Sequence, residues 1–404
     1  MAQERASEQL AMGRNFNFAQ LDDPYPALND MREREPVAAT PFGFWRVLRY
    51  AHVVELMRHS DAGKRNSRGE VAFAAEGIAR GLFMLNQDPP AHTRLRRLVS
   101  RAFTPRAVER LRPRIESLVE DLLDRVARSG EMDVIADLAL PVPSTVICEM
   151  MGVPLEDRES FTTWTADSTF GLLGALAPPE LLERAQHAQR SLAGYFARLI
   201  EVRSGELGDD MLSTMIRAAD DGDRLSNAEL LVQSSGLLVA GFETTIGLIG
   251  NGIRQLILHP DELARLRENP DLIDSCVEEC LRFDGPVMGT QRVLQADVEI
   301  GGVRIPRDSV VLGSLAAANR DPRQFPDPER FDIGREPNDH VSFGGGVHFC
   351  LGAHLARVET RAAIGALVRR FSNLKLASAR PEWGRSLFRV LGRLPIRFTS
   401  GGRP

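Results

Sequence analysis

The stretch that could do the most chemistry is Phe343-Gly344-Gly345-Gly346-Val347-His348-Phe349-Cys350-Leu351-Gly352. A glycine-rich turn delivers one cysteine to the point where Leu351, Leu355, Val358, Ala362 and Leu367 begin to recur at helical spacing. A helix is therefore expected to begin at or just after Cys350. Unpaired N–H groups and the positive end of the helix dipole favour a thiolate there, and the glycines let a large flat ligand approach the backbone. Other readings of a lone cysteine are an inert core residue and a nucleophile served by a histidine base. His348, Cys350 and His354 could be part of a zinc site, but zinc needs a fourth ligand or an open position, and no second Cys/His pair lies nearby at ligand spacing.

A second concentration of chemistry is Ala240-Gly241-Phe242-Glu243-Thr244-Thr245. It sits in a mostly apolar helical pattern that starts at the capping box Ser226-Asn227-Ala228-Glu229 and stops before Pro260. A carboxylate and hydroxyls in such a helix are costly without a task or a partner. The alternative is a local kink at Gly241 whose threonines bond back to the preceding turn. Further along, His92 and Arg96 are i and i+4 on one helical face, while Arg94, Arg97 and Arg101 share another. That second face is either a solvated stripe or a docking patch for an acidic partner. Glu279 and Arg282 are i and i+3 and can pair.

The rest of the chain must position these groups. Its 404 residues, 43% hydrophobic and 26% charged, are ordinary for a globular protein with a large core. The net charge of −5 gives no sign of a nucleic-acid binder. Only Lys64 and Lys375 interrupt an otherwise all-arginine set of basic side chains. The cysteines Cys148, Cys276, Cys280 and Cys350 are too scattered for a disulfide framework, which suits a reducing cytoplasm. Residues 1–20 read as a loose polar arm without the pattern of a signal peptide, and no run of 18 apolar residues occurs. Predicted elements are a strand over 44–48, helices over 51–57, 115–127, 146–151, 180–202 and 226–259, an extended segment over 284–290 and a hairpin over 298–305. Residues 64–81 read as a loop.

The cysteine stretch resembles the haem-binding signature of the cytochrome P-450 family, Phe-x-x-Gly-x-[Arg/His]-x-Cys-x-Gly, at Phe343, Gly346, His348, Cys350 and Gly352. The helix centre resembles the family's Ala-Gly-x-[Asp/Glu]-Thr, and His92 to Arg96 resembles its His-x-x-x-Arg. Glu279 to Arg282 resembles its Glu-x-x-Arg, with Arg330 at the place of its structural arginine. The resemblance runs roughly from Leu82 to Phe398. It implies a mainly α fold with small β-sheet regions, as a single haem domain over residues 21–404. It implies haem b ligated by Cys350, with His92, Arg96, Arg292 and His348 binding the cofactor. Glu243 and Thr244 would deliver protons, while Glu279, Arg282 and Arg330 would hold the cysteine loop. Leu82, Phe83, Phe170, Val239, Phe242, Thr245, Val287, Met288 and Leu391 would line the substrate pocket.

The reaction implied is monooxygenation of a hydrophobic small molecule by dioxygen, in a monomeric cytoplasmic enzyme that binds neither membrane nor nucleic acid. No flavin or iron–sulfur domain is expected after Phe398. Electrons are therefore expected from a separate ferredoxin and its NAD(P)H-dependent reductase, and the arginine stripe is the expected docking patch. Rival readings are a peroxide-driven peroxygenase and a haem-binding sensor or carrier, neither of which needs a proton-delivery pair.

Overall fold

The computed structural model describes residues 21–71, 81–100, 103–171, 178–217, 219–220, 223–384 and 386–400. The expected arm, and the middle of the expected loop over 64–81, lie outside these residues. In chain order the principal helices are α1 (Tyr25–Arg34), α2 (Tyr50–Arg58), α3 (Ala91–Ser100), α4 (Arg112–Val126), α5 (Pro141–Met151), α6 (Arg158–Thr169), α7 (Pro179–Gly205), α8 (Asn227–Leu258), α9 (Ile273–Asp284) and α10 (Ala353–Arg370).

Helix α8 is the axis of the molecule. Ser226 Oγ accepts from the Glu229 N–H at 3.2 Å, and the Glu229 carboxylate accepts from the Ser226 N–H at 2.8 Å, so both halves of the capping box form. Its 32 residues span roughly 48 Å at 1.5 Å per residue. It packs against α5, α6, α7, α9 and α10. Among the described residues it alone is long and apolar enough to cross a membrane, but 72% of its most apolar window is buried inside the protein, as in a core helix. The back-bonding of the threonines considered around Gly241 is present. The helix runs on unbroken, with Thr244 Oγ1 donating to Ala240 O at 3.0 Å and Thr245 Oγ1 reaching Gly241 O at 3.4 Å.

The main core joins residues from α3 through α10 to the C-terminal strands, and a second apolar cluster lies under the largest sheet. That sheet has the order β1-β2-β5-β4-β3, with β1 (Val37–Ala39), β2 (Trp45–Val47), β3 (Ala62–Gly63), β4 (Gly289–Leu294) and β5 (Val310–Ser314). Only the β2–β5 pair is parallel. The hairpin Val298–Ile300 with Val303–Ile305 turns through Gly301 and Gly302, both at positive φ, where glycine costs nothing.

The register of β3 on β4 matters for the site. Ala62 faces Leu294 and Gly63 faces Val293, so the chain leaves the sheet with Lys64 beside Arg292. Gly63 is needed for this approach, because a Cβ there would lie 2.6 Å from the Asp88 carboxylate. That carboxylate accepts the N–H groups of Lys64 and Arg65 at 2.8 and 3.1 Å.

Candidate active site

The cysteine loop is shaped by its glycines. Gly344 and Gly346 adopt φ of 71° and 65°, and a Cβ on Gly346 would lie 2.5 Å from Met57 O at the end of α2. The turn closes with the Cys350 N–H donating to Phe343 O at 2.9 Å. Helix α10 begins at Ala353, three residues past the cysteine rather than beside it, and this leaves the N–H groups of Gly352 and Ala353 free to donate to the Cys350 sulfur. Cys350 is exposed, yet burial is the largest influence on its thiol and pushes it up, opposed by Gly352, Arg96, Arg357 and Ala353. A sulfur that is both accessible and closely surrounded lies in a recess.

Basic side chains and two imidazoles gather beside that recess. His92 and Arg96 come from α3, Arg292 from β4, His348 from the cysteine loop and Lys64 from the end of β3. The rings of His92 and His348 are 4.3 Å apart, and His92 Nδ1 and His348 Nε2 are buried without partners. Burial first, then neighbouring positive charge, holds His348 down to about 2 and lowers His92. Burial and Arg292 bring Lys64 down to about 7, against the pull of Asp88. Burial brings Arg292 to about 10. Among the described residues, Asp88 is the one carboxylate acting on this group. Three basic side chains, Lys64, Arg96 and Arg292, facing one carboxylate, with the orphaned ring nitrogens of two uncharged imidazoles beside them, form a receptor for a ligand carrying anionic carboxylates. Sequence reasoning missed Lys64. Its signal was its rarity, as one of two lysines in the chain.

In the middle of α8 Ala240 is exposed and Val239, Gly241 and Thr244 are half-buried, with Ala240 and Thr244 one turn apart, while Phe242, Glu243, Thr245 and Ile246 are buried. Burial raises the Glu243 carboxyl to about 7, Ser386 opposes this with a hydrogen bond, and Asp167 adds to it. Glu243 Oε2 has no partner. A further buried carboxyl, Glu359 on α10, is raised by burial to about 8 and hydrogen-bonds Thr245. Near neutral pH it is protonated and can donate to Thr245. The reasoning that singled out Glu243 in an apolar helix applies equally to Glu359 among Leu355, Val358 and Ala362.

Several of the residues expected to line the pocket are buried. Phe242 and Leu391 belong to the core, and Thr245 faces Glu359. The reason is helical phase, since positions 242 and 245 are off the face shared by 240 and 244. Phe170 is buried. Leu82, Phe83, Val239, Val287 and Met288 are half-buried, Val287 packing against the sheet cluster and Met288 against Tyr25 and Leu28. Gln233 of α8 pins the Leu82–Phe83 segment, donating to Leu82 O at 2.7 Å and accepting the Met84 N–H at 3.1 Å.

The expected supporting network forms with one substitution. Arg282 donates to both Glu279 oxygens at 2.7 and 2.8 Å, and both side chains are fully buried. The second arginine on Glu279 is Arg335, whose Nε lies 3.3 Å away, not Arg330. The chain turns at Asp327, at positive φ, so Arg330 points its carbonyl inward to Arg282 and Arg335 and its side chain outward. Asn319 links this network to the loop, accepting from Val341 N at 2.8 Å and donating to Ser342 Oγ at 2.8 Å. The arginine stripe is also reduced. Arg94 donates to the Glu229 carboxylate and to Arg224 O, both at 2.6 Å, and so belongs to the fold. Arg97 is exposed, and Arg101 lies outside the described residues.

A prosthetic group bearing carboxylates and a metal that accepts thiolate fits both halves of this recess, and haem has both, so fold and site together define a haem-thiolate protein. Known proteins say which one. The sequence model of the family described as Cytochrome P450 matches residues 43–382. The cytochrome P450 monooxygenase PikC of Streptomyces venezuelae is 42% identical, across 97% of this chain and 94% of its own length. The 6-deoxyerythronolide B hydroxylase of Saccharopolyspora erythraea is also 42% identical, across 93% and 96%. Among solved structures, P450BioI in complex with an acyl carrier protein ligated to hexadec-9Z-enoic acid superposes with a TM-score of 0.88 at 36% identity, covering 94% of this chain and 98% of that one. The chain belongs to the cytochrome P450 family. It is a haem-binding monooxygenase with bacterial relatives.

Proposed function

We propose that Cys350 supplies the thiolate that binds haem iron and that His92, Arg96, Arg292, His348 and Lys64 hold the haem carboxylates. The observation that carries this is the Cys350 sulfur, set in a recess against two backbone N–H groups, with Lys64, Arg96, Arg292 and two partnerless imidazoles beside it. Bound haem supplies the activation of dioxygen, and thiolate ligation favours O–O cleavage.

The chain supplies the rest. Backbone N–H groups stabilise the sulfur as thiolate. Glu243, raised to about 7, both takes up and releases a proton near neutral pH, as a relay requires. The adjacent Thr244 hydroxyl is accessible and spends its own proton on Ala240 O at rest, so its oxygen is free to accept one from the recess side. This pair favours a dioxygen-dependent monooxygenase over the peroxygenase and sensor readings. The half-buried apolar residues Leu82, Phe83 and Val239 favour a hydrophobic organic substrate. Two relatives whose names or titles carry a macrolactone precursor and a fatty acyl chain support the same class. Electrons come from a separate ferredoxin-type donor with an NAD(P)H-dependent reductase, docking near the exposed Arg97, in the cytoplasm.

The test is the carbon-monoxide complex of the reduced protein. The parent is expected to show the long-wavelength band of the family, and Cys350→His should move it to the position of histidine-ligated haem. An unchanged band in the variant would refute the assignment.

A further inference from the structure

Under the cysteine loop lies a second charged cluster, separate from the Glu279 network. Glu278 is the next residue along α9 and turns about 100° away from Glu279. Arg357 of α10 donates through Nε and Nη2 to its two oxygens at 2.7 and 2.6 Å. His340 Nε2 lies 3.0 Å from the same carboxylate. Ser342 N–H donates to His340 Nδ1 at 3.2 Å, which leaves Nε2 to face the carboxylate. Burial opposes ionisation of Glu278, but Arg357 and then His340 hold its carboxyl down to about 2. The pair is therefore one cation and one anion.

The two charges are not placed alike. The Arg357 guanidinium carbon sits 4.5 Å from the centre of the Phe343 ring, a cation–π contact. Phe343 O accepts the Cys350 N–H at 2.9 Å, so the guanidinium rests on the residue that closes the cysteine turn. The cation touches the cysteine turn through Phe343, and Glu278 and His340 hold it there.

We infer that Arg357, fixed over Phe343 by Glu278 and His340, is a positioning residue whose charge sets how readily the cysteine-ligated iron is reduced. This rests on the haem-thiolate reading. One-electron reduction adds a negative charge at the iron. A cation against the cysteine turn favours it, and a bare carboxylate in the same place opposes it. Removing either partner therefore shifts the reduction equilibrium in opposite directions.

The experiment measures reduction potentials by spectroelectrochemistry, the electrode supplying the electron, for the haem-loaded parent, Arg357→Met, Glu278→Gln and the double variant. Arg357→Met is expected to disfavour reduction by about tenfold, or 59 mV for one electron. Glu278→Gln should favour it by a smaller factor, and the double variant should fall between the parent and Arg357→Met. A role confined to holding the loop would lower haem content in both single variants without shifts of opposite sign. Unchanged potentials, or shifts of the same sign, would overturn the inference. Arg357→Lys keeps the charge on a weaker clamp and should stay near the parent; a shift as large as that of Arg357→Met would also overturn it. The carbon-monoxide band of the parent reports thiolate ligation independently, so failure of the underlying reading shows itself separately.

Discussion

Replacing Arg335 should damage the protein more than replacing Arg330, although Arg330 is the arginine that the sequence motif singles out. Arg335 is 9% exposed and reaches Glu279 at 3.3 Å. It also donates to Pro326 O, Arg330 O and Asp327 O at 2.7, 3.0 and 3.1 Å. Arg330 is 63% exposed, and its nearest charged partner is Asp332 at 3.8 Å. A hydrogen bond to a buried charge contributes about 1.5–3 kcal/mol. Glu279 keeps Arg282 and the N–H of Asp332 at 2.9 Å, so Arg335→Leu is expected to cost about 2–3 kcal/mol rather than the ~3–5 kcal/mol of a fully stranded buried charge. An exposed pair such as that of Arg330 contributes little, so Arg330→Ala should stay within about 0.5 kcal/mol. For a chain this long, about 2–3 kcal/mol lowers Tm by roughly 2–4 °C. Thermal unfolding followed by circular dichroism and by haem absorbance reads both variants. If Arg330→Ala destabilises as much as Arg335→Leu, the assignment of the guanidinium on Glu279 is wrong.

Three further outcomes are expected. Lys64→Gln should release haem about tenfold faster to excess apomyoglobin, as loss of a charge-assisted bond implies, and the difference should vanish with haem whose carboxylates are esterified; equal rates with natural haem would remove Lys64 from the cofactor site. Glu359 has its carboxyl raised from 4.5 to about 8, so between those values the folded state holds a proton that the unfolded chain releases. Its contribution is intact below the unfolded value and is lost as pH rises through the folded one, by on the order of 4–5 kcal/mol. The unfolding free energy of Glu359→Gln relative to the parent should therefore grow from about pH 5 to about pH 9, and a constant difference would contradict this. Thr244→Ala should go on consuming NADH while forming less product and more hydrogen peroxide, and tight coupling in that variant would place the proton route elsewhere.

Local chemistry made part of this protein legible in its sequence. The capping box at Ser226 and Glu229, the apolar run behind it, the glycine turn before Cys350, and the i, i+4 pair His92 and Arg96 all depend on neighbours within a few residues. Backbone geometry alone fixes such relations. Glu243 stood out for the same reason, as a carboxylate in a helix without polar company.

Tertiary structure decided whatever depends on phase or on distant partners. Lys64 meets Arg292 through the register of two short strands far apart in the chain. Arg335 rather than Arg330 reaches Glu279 because one positive φ at Asp327 reverses which groups point inward. Phe242 and Thr245 are buried because the packing of α8 against its neighbours, not its composition, selects the open face. Arg94 closed onto Glu229, 135 residues away. Asp284, expected in an extended segment, ends α9 and instead gathers Tyr25, Gln255 and Arg389 at 2.8, 2.8 and 2.6 Å. Periodicity in a sequence tells which residues share a face of one element. Which faces meet, and which charges are thereby left for a cofactor to neutralise, follows only from how the elements pack.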